Sequence, residues 1–136
     1  MSVREPSVRP ATAPDRVVLA VSVAVQLAVL YAPRAPSAAG TPGLDKLVHA
    51  TVFGAVAWAA VRCGVSRRVV AAVLLGHAVL SEVIQHFVLP HRSGDALDAL
   101  ADAVGVGLGL ALAAVRPGRS GRSGRSDRPA ETVHRV

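Results

Sequence analysis

Residues 80–109 decide the fold of this chain, and they read LSEVIQHFVLPHRSGDALDALADAVGVGLG. The stretch is apolar enough to sit in a bilayer, yet it carries carboxylates at Glu82, Asp95, Asp98 and Asp102. A carboxylate at membrane depth costs about 2.5–3.5 kcal/mol on insertion scales. Such residues are functional-site candidates, so we expect the chemistry of the protein to lie in this stretch.

The composition of the whole chain is typical of a membrane protein. Of its 136 residues, 51% are hydrophobic and only 3% are aromatic, so a soluble core would lack the large side chains that usually supply buried area. Long runs of Ala, Val and Leu fit membrane helices instead. The net charge is +6, but the basic residues flank the apolar runs, so membrane topology explains them better than nucleic-acid binding does. Cys63 is the only cysteine, which excludes an internal disulfide.

Proline and glycine clusters, together with a short basic turn at 62–68, divide the apolar sequence into four segments. They predict helices at about 17–32, 45–62, 69–89 and 95–115. The first is slightly short for a membrane span, and a cleaved signal peptide is the alternative interpretation. The Ala-Pro-Arg-Ala-Pro segment that follows lacks a clear cleavage site, which favours a retained helix.

The sequence therefore predicts an all-α fold, a four-helix transmembrane bundle over residues 17–115. Residues 1–16 are Pro-rich and polar, and residues 116–136 are Arg-rich with Gly-Arg-Ser repeats. Neither composition can bury a core, so both tails are expected to be disordered. The N-terminal segment, the turn at 62–68 and the C-terminal tail hold 12 of the 15 basic residues. The positive-inside rule then predicts a multi-pass protein of the cell membrane with both termini in the cytoplasm.

Helices two to four each carry one polar stripe. At 100° per residue, the three aspartates of helix four fall with Gly105 and Gly109 in an arc of about 80°. Packing would turn these stripes inward near the outer ends of the helices, and the Gly105-x-x-x-Gly109 spacing would allow close approach of a neighbour. The candidate ligand-binding residues are Asp45, Lys46, His49, Glu82, Gln85, Arg92, Asp98 and Asp102.

Each candidate also has a structural interpretation. Asp95 fits a helix N-cap, with Asp98 close to a capping box. Lys46 and Arg92 fit interfacial anchors. Hydrogen bonds between helices could explain His49, Glu82 and Asp102, and packing explains His77. Hydrogen bonds between membrane helices often contribute less than about 1 kcal/mol, however, which is smaller than the cost of inserting a carboxylate.

The polar residues together resemble the VanZ-like membrane proteins. The matching pattern is D-K-x-x-H from Asp45, E-x-x-Q from Glu82, P-x-R from Pro90, then Asp98 and G-x-x-x-G, and it covers residues 44–112. The resemblance implies a small multi-helix bacterial membrane protein, in a family whose namesake is associated with teicoplanin resistance. The family usually has Asn where this chain has Asp102, and the extra negative charge would favour a cation.

Three functions are compatible with these residues. The first is an outer-leaflet polar pocket that engages lipid-linked cell-wall precursors or affects glycopeptide susceptibility, with Lys46 and Arg92 meeting phosphate. The second is a membrane-embedded hydrolase or transferase in which Glu82 and His49 are the catalytic candidates. The third is a proton or cation pathway through Glu82, His86 and Asp102.

The expected partners are membrane lipids and no nucleic acid. The chain has no H-E-x-x-H motif, and no nucleophile constellation is evident. We therefore expect no cofactor and no stoichiometric transition metal, and the sequence does not decide whether the protein is an enzyme.

Overall fold

The computed structural model describes residues 11–32, 43–89 and 95–115. These residues form four helices and no strand. The helices are α1 (Ala13–Tyr31), α2 (Leu44–Arg62), α3 (Arg67–Phe87) and α4 (Ala96–Leu112). The all-α prediction is confirmed. The predicted loops around residues 33–42 and 90–94, and the tails 1–10 and 116–136, lie outside the described residues.

The helix ends differ from the predicted ones where a side chain caps the helix. Helix α1 begins at Ala13 because Thr12 and Asp15 form a reciprocal capping box, so residues 13–16 are helical and do not belong to the polar tail. Helix α3 begins early, at Arg67, because the Ser66 hydroxyl accepts the N–H of Val69. It ends before the predicted 89, and two N–H groups of the following turn donate to the carbonyl of Ile84.

The surface of the bundle is apolar and its interior holds polar groups, the reverse of a soluble protein. Val17, Val73, Val79, Leu100 and Leu108 each expose more than half of their surface. Helices α1, α2 and α3 are long and apolar enough to cross a membrane. Helix α4 has 17 residues, or about 26 Å of length, and is slightly shorter than the helices counted as able to span a membrane. The predicted bundle of membrane helices is thus supported for three of its four helices.

Helices α2 and α4 form the most extensive helix pair, and they run parallel. Gly105 lies against the carbonyl of Ala50 and Gly109 against the carbonyl of Gly54, so closely that a Cβ at either glycine would overlap the facing oxygen. Two small-x-x-x-small pairs therefore let the backbones touch. In this register, side chains of α4 meet side chains of α2 that lie 52 or 53 residues earlier in the chain. The first turns of α2 and α4 therefore lie side by side.

Helix α1 is fixed to the bundle at both ends. At one end Asp15 accepts hydrogen bonds from the Arg62 guanidinium, which also lies 4.8 Å from the centre of the Trp58 ring. At the other end the Tyr31 hydroxyl and His77 Nε2 share a hydrogen bond of 3.0 Å. His77 is therefore a packed, hydrogen-bonded residue, as its sequence position suggested.

Candidate functional site

Three buried polar side chains meet between α2, α3 and α4, and we call them the buried triad: His49, Glu82 and Asp102. Their exposed fractions are 5%, 9% and 0%, respectively. His49 Nδ1 and Asp102 Oδ1 are 3.0 Å apart. One ring nitrogen of the histidine and one oxygen of each carboxylate all lie within 4.8 Å of one another. The bundle thus gathers two carboxylates and an imidazole in its interior.

The buried triad sits at a common depth. The site end of the bundle is the end where α2 and α4 begin and α3 finishes. Each triad residue lies five or six residues from that end of its helix, which corresponds to about 8–9 Å. Three helices therefore deliver their polar groups to the same level, because the parallel α2 and α4 start side by side and the antiparallel α3 ends there.

The Lys46 side chain links α2 to α4 nearer to the site end. The Lys46 ammonium donates to Asp45, Asp95 and Asp98, each at 3.1 Å. Asp98 is 8% exposed, whereas Asp45 stands at the surface. With three carboxylates around it, the ammonium is already well satisfied, and it connects the first turn of α2 to the first turn of α4.

The start of α4 is tied to α3 through its N-cap. The Asp95 carboxylate accepts the N–H of Leu97, while the N–H of Asp95 donates to Glu82 Oε2 at 2.8 Å. The Leu97 N–H and the Lys46 ammonium hold the pKa of Asp95 below its ordinary value. Asp95 is therefore both the N-cap expected from sequence and a neighbour of the candidate site.

Two polar side chains predicted near the site turn elsewhere. Gln85 is buried, but its amide donates to the carbonyl of Leu30 at 3.1 Å, so it fastens α3 to the last turn of α1. His86 is exposed and packs its ring edge-on against Phe87, with centroids 4.6 Å apart. Arg92 lies outside the described residues.

Two orphaned oxygens remain in the buried triad. Glu82 Oε1 and Asp102 Oδ2 are buried and have no hydrogen-bond partner among the residues that the structure describes. Buried polar atoms without partners are uncommon in folded proteins and call for an explanation. The described part of the site, the triad with Lys46 and its three aspartates, carries five carboxylates against one lysine and one histidine, so it is acidic.

An apolar groove reaches the site from the side. It lies between α3 and α4, has a volume of about 330 Å³ and is lined mainly by apolar side chains, among them Val83, Phe87 and Ala99. Glu82 and His86 are its polar lining residues. A chain of methylene groups in this groove would thus contact the edge of the buried triad.

Sequence analysis missed some buried or paired polar groups. Gln26 is 2% exposed on α1, and its Nε2 has no partner among the described residues. A glutamine inside an apolar run was the signal that could have found it. The Asp15–Arg62 pair was also missed, because no local spacing connects residues that far apart in the chain.

The fold and the site define a class: a small all-helical protein with three helices able to cross a membrane and an acidic cluster buried between its helices. Comparisons with protein-family models, with curated proteins and with solved structures found no match to this chain. The resemblance to VanZ-like proteins therefore depends on the quoted residues alone.

Proposed function

We propose that this chain is a VanZ-like, multi-pass protein of the cell membrane that binds an envelope lipid through the acidic site. The observation that best supports this proposal is that the apolar groove between α3 and α4 lies next to the buried triad. Glu82 belongs to both, since it lines the groove and is a member of the triad. An envelope lipid has matching parts, since its acyl chain fits an apolar groove and its head group presents hydrogen-bond donors.

The proposed topology would put this site on the outer side. Four spans with both termini in the cytoplasm satisfy the positive-inside rule, because 12 of 15 basic residues then face inward. The site end of the bundle carries the loops between α1 and α2 and between α3 and α4. In this arrangement it opens towards the outer leaflet, where lipid-linked cell-wall precursors are used.

The carboxylates supply the polar contacts to such a ligand. Glu82, which lines the groove, accepts hydrogen bonds from the hydroxyl, amide or ammonium groups of a sugar or peptide head group, whereas Asp102 is fully buried behind it. Lys46, expected from sequence to meet phosphate, is occupied by three aspartates and fits a structural role better. Arg92, the other basic residue expected from sequence to meet phosphate, is the one we propose for that contact.

A membrane-embedded hydrolase is the second candidate, favoured by the closeness of Glu82 to His49. Glu82 would act as general base and His49 as general acid or metal ligand. Ser81 is a poor nucleophile in this setting, since its hydroxyl donates to the carbonyl of Ala78. The ion-pathway interpretation loses support because His86 is exposed and has no described hydrogen bond to Glu82 or Asp102.

Susceptibility to teicoplanin-type and other cell-wall antibiotics, measured with and without the gene, tests the proposal. We expect loss of the gene to increase susceptibility, and Arg92→Ala and Glu82→Gln to reproduce the loss while the protein still inserts. Gly76→Ala is the matched control on α3, because nothing lies within 4 Å of a Cβ at that position. Unchanged susceptibility on deletion, or full function of both variants, would reject the proposal.

A further inference from the structure

The geometry of the buried triad suits a metal ion. In tetrahedral coordination with bonds of about 2.1 Å, ligand atoms lie about 3.4 Å from one another. One nitrogen of His49 and one oxygen from each carboxylate lie within 4.8 Å of one another, and the hydrogen bond of 3.0 Å between His49 Nδ1 and Asp102 Oδ1 already joins two of the three side chains. Side-chain movements of about 1.4 Å would bring the widest of these separations to the tetrahedral spacing.

The two orphaned oxygens point to a missing positive charge. Glu82 already uses Oε2 to accept the N–H of Asp95, and Asp102 uses Oδ1 for His49. Among the residues that the structure describes, the second oxygen of each is buried without a partner. The Lys46 ammonium does not supply the charge, because it contacts Asp45, Asp95 and Asp98. A cation between the two carboxylates would satisfy both oxygens at once.

Charge balance sets the valence. Two carboxylates and a neutral imidazole carry a charge of minus two, so one divalent ion makes the cluster neutral. A neutral cluster costs far less to bury than two unpaired carboxylates. The donor set, one imidazole nitrogen with carboxylate oxygens and no thiolate, fits the borderline ion Zn²⁺ or the harder Mn²⁺ better than a soft ion.

We propose that His49, Glu82 and Asp102 bind one divalent transition-metal ion of the zinc or manganese type. This inference deepens the account of the same acidic site, and metal content tests it without any lipid, so its failure would leave the lipid proposal standing. It also replaces the expectation from sequence that no such metal is present. Asp102 is the decisive residue, since Asn there would remove one of the two negative charges.

Metal content and zinc binding of the full-length protein test the site. The protein is purified in detergent without chelator, its metal is measured by mass spectrometry, and Zn²⁺ and Mn²⁺ are titrated into chelator-treated protein. We expect close to one equivalent per chain, with affinity lowered at least about tenfold in Glu82→Gln and Asp102→Asn. Asp15→Asn is the matched control, since this aspartate pairs with Arg62 at the opposite end of the bundle and its loss should leave metal affinity unchanged.

A measurement on the unaltered protein guards against variants that fail to fold. X-ray absorption of the zinc-loaded chain should show imidazole and oxygen ligands at about 2.0–2.2 Å and no sulfur. Absence of stoichiometric binding, binding retained in both triad variants, or a spectrum without imidazole would each overturn the proposal. The first result would mean that the two carboxyl groups are balanced by protons instead of a metal.

Discussion

Replacing Gly105 by alanine should separate α2 from α4. A Cβ at this position would overlap the carbonyl oxygen of Ala50, and the carbonyl carbon and Cα of that residue would both lie 2.7 Å away. Backbone atoms cannot move aside as a flexible side chain can, so the helices would have to separate by about 1 Å or more to restore van der Waals contact. The bond between His49 and Asp102, a turn nearer to the site end, would lengthen with them.

The expected cost follows from two opposing effects. Overpacking of a tight interface costs about 1–3 kcal/mol, whereas alanine favours a helix over glycine by up to about 1 kcal/mol. Gly107→Ala separates the two effects, because no atom lies within 4 Å of a Cβ there. We therefore expect Gly107→Ala to be neutral or slightly stabilising and Gly105→Ala to be destabilising.

The free energy of unfolding can be measured for both variants by titrating a denaturing detergent into mixed micelles and following helicity. Gly109→Ala should behave like Gly105→Ala, since its Cβ would overlap the carbonyl of Gly54. Equal stability of Gly105→Ala and Gly107→Ala would refute the close packing of α2 on α4.

Three further predictions test other parts of the molecule. A reporter fused after Val136 and a labelled cysteine introduced at Ser37 should lie on opposite sides of the membrane, because the segments that hold most basic residues are predicted to face the cytoplasm. Finding both on the same side would refute the four-span topology. Tyr31→Phe should lower the free energy of unfolding by about 1 kcal/mol through loss of its hydrogen bond to α3, and no change would mean that the bond does not form. Gln85→Met keeps the side-chain volume but leaves a buried carbonyl of α1 unpaired, at a cost of about 1–3 kcal/mol. That variant should nevertheless retain metal binding, which distinguishes Gln85 from Glu82.

Local sequence determined the helices and their polar stripes. Proline and glycine clusters marked the breaks between helices to within a few residues, and the apolar runs identified their membrane character. The early starts of α1 and α3 came from capping, since Thr12 and Ser66 extend these helices beyond the start of their apolar runs, while α3 and α4 end two or three residues before the predicted positions. The candidate status of Glu82 and Asp102 also followed from sequence, because a carboxylate in an apolar helix stands out without any knowledge of its neighbours.

Only the tertiary structure decided which polar atoms meet. Gln85 and Glu82 share a stripe on α3, yet one contacts α1 and the other faces α4, because α3 packs between those helices. Lys46 looked available for phosphate until α4 placed Asp95 and Asp98 around it. Such contacts depend on how far each helix rotates about its axis and how closely it approaches its neighbour. The glycines of α4 set how closely α4 approaches α2, and the periodicity of a single helix carries no information about that distance.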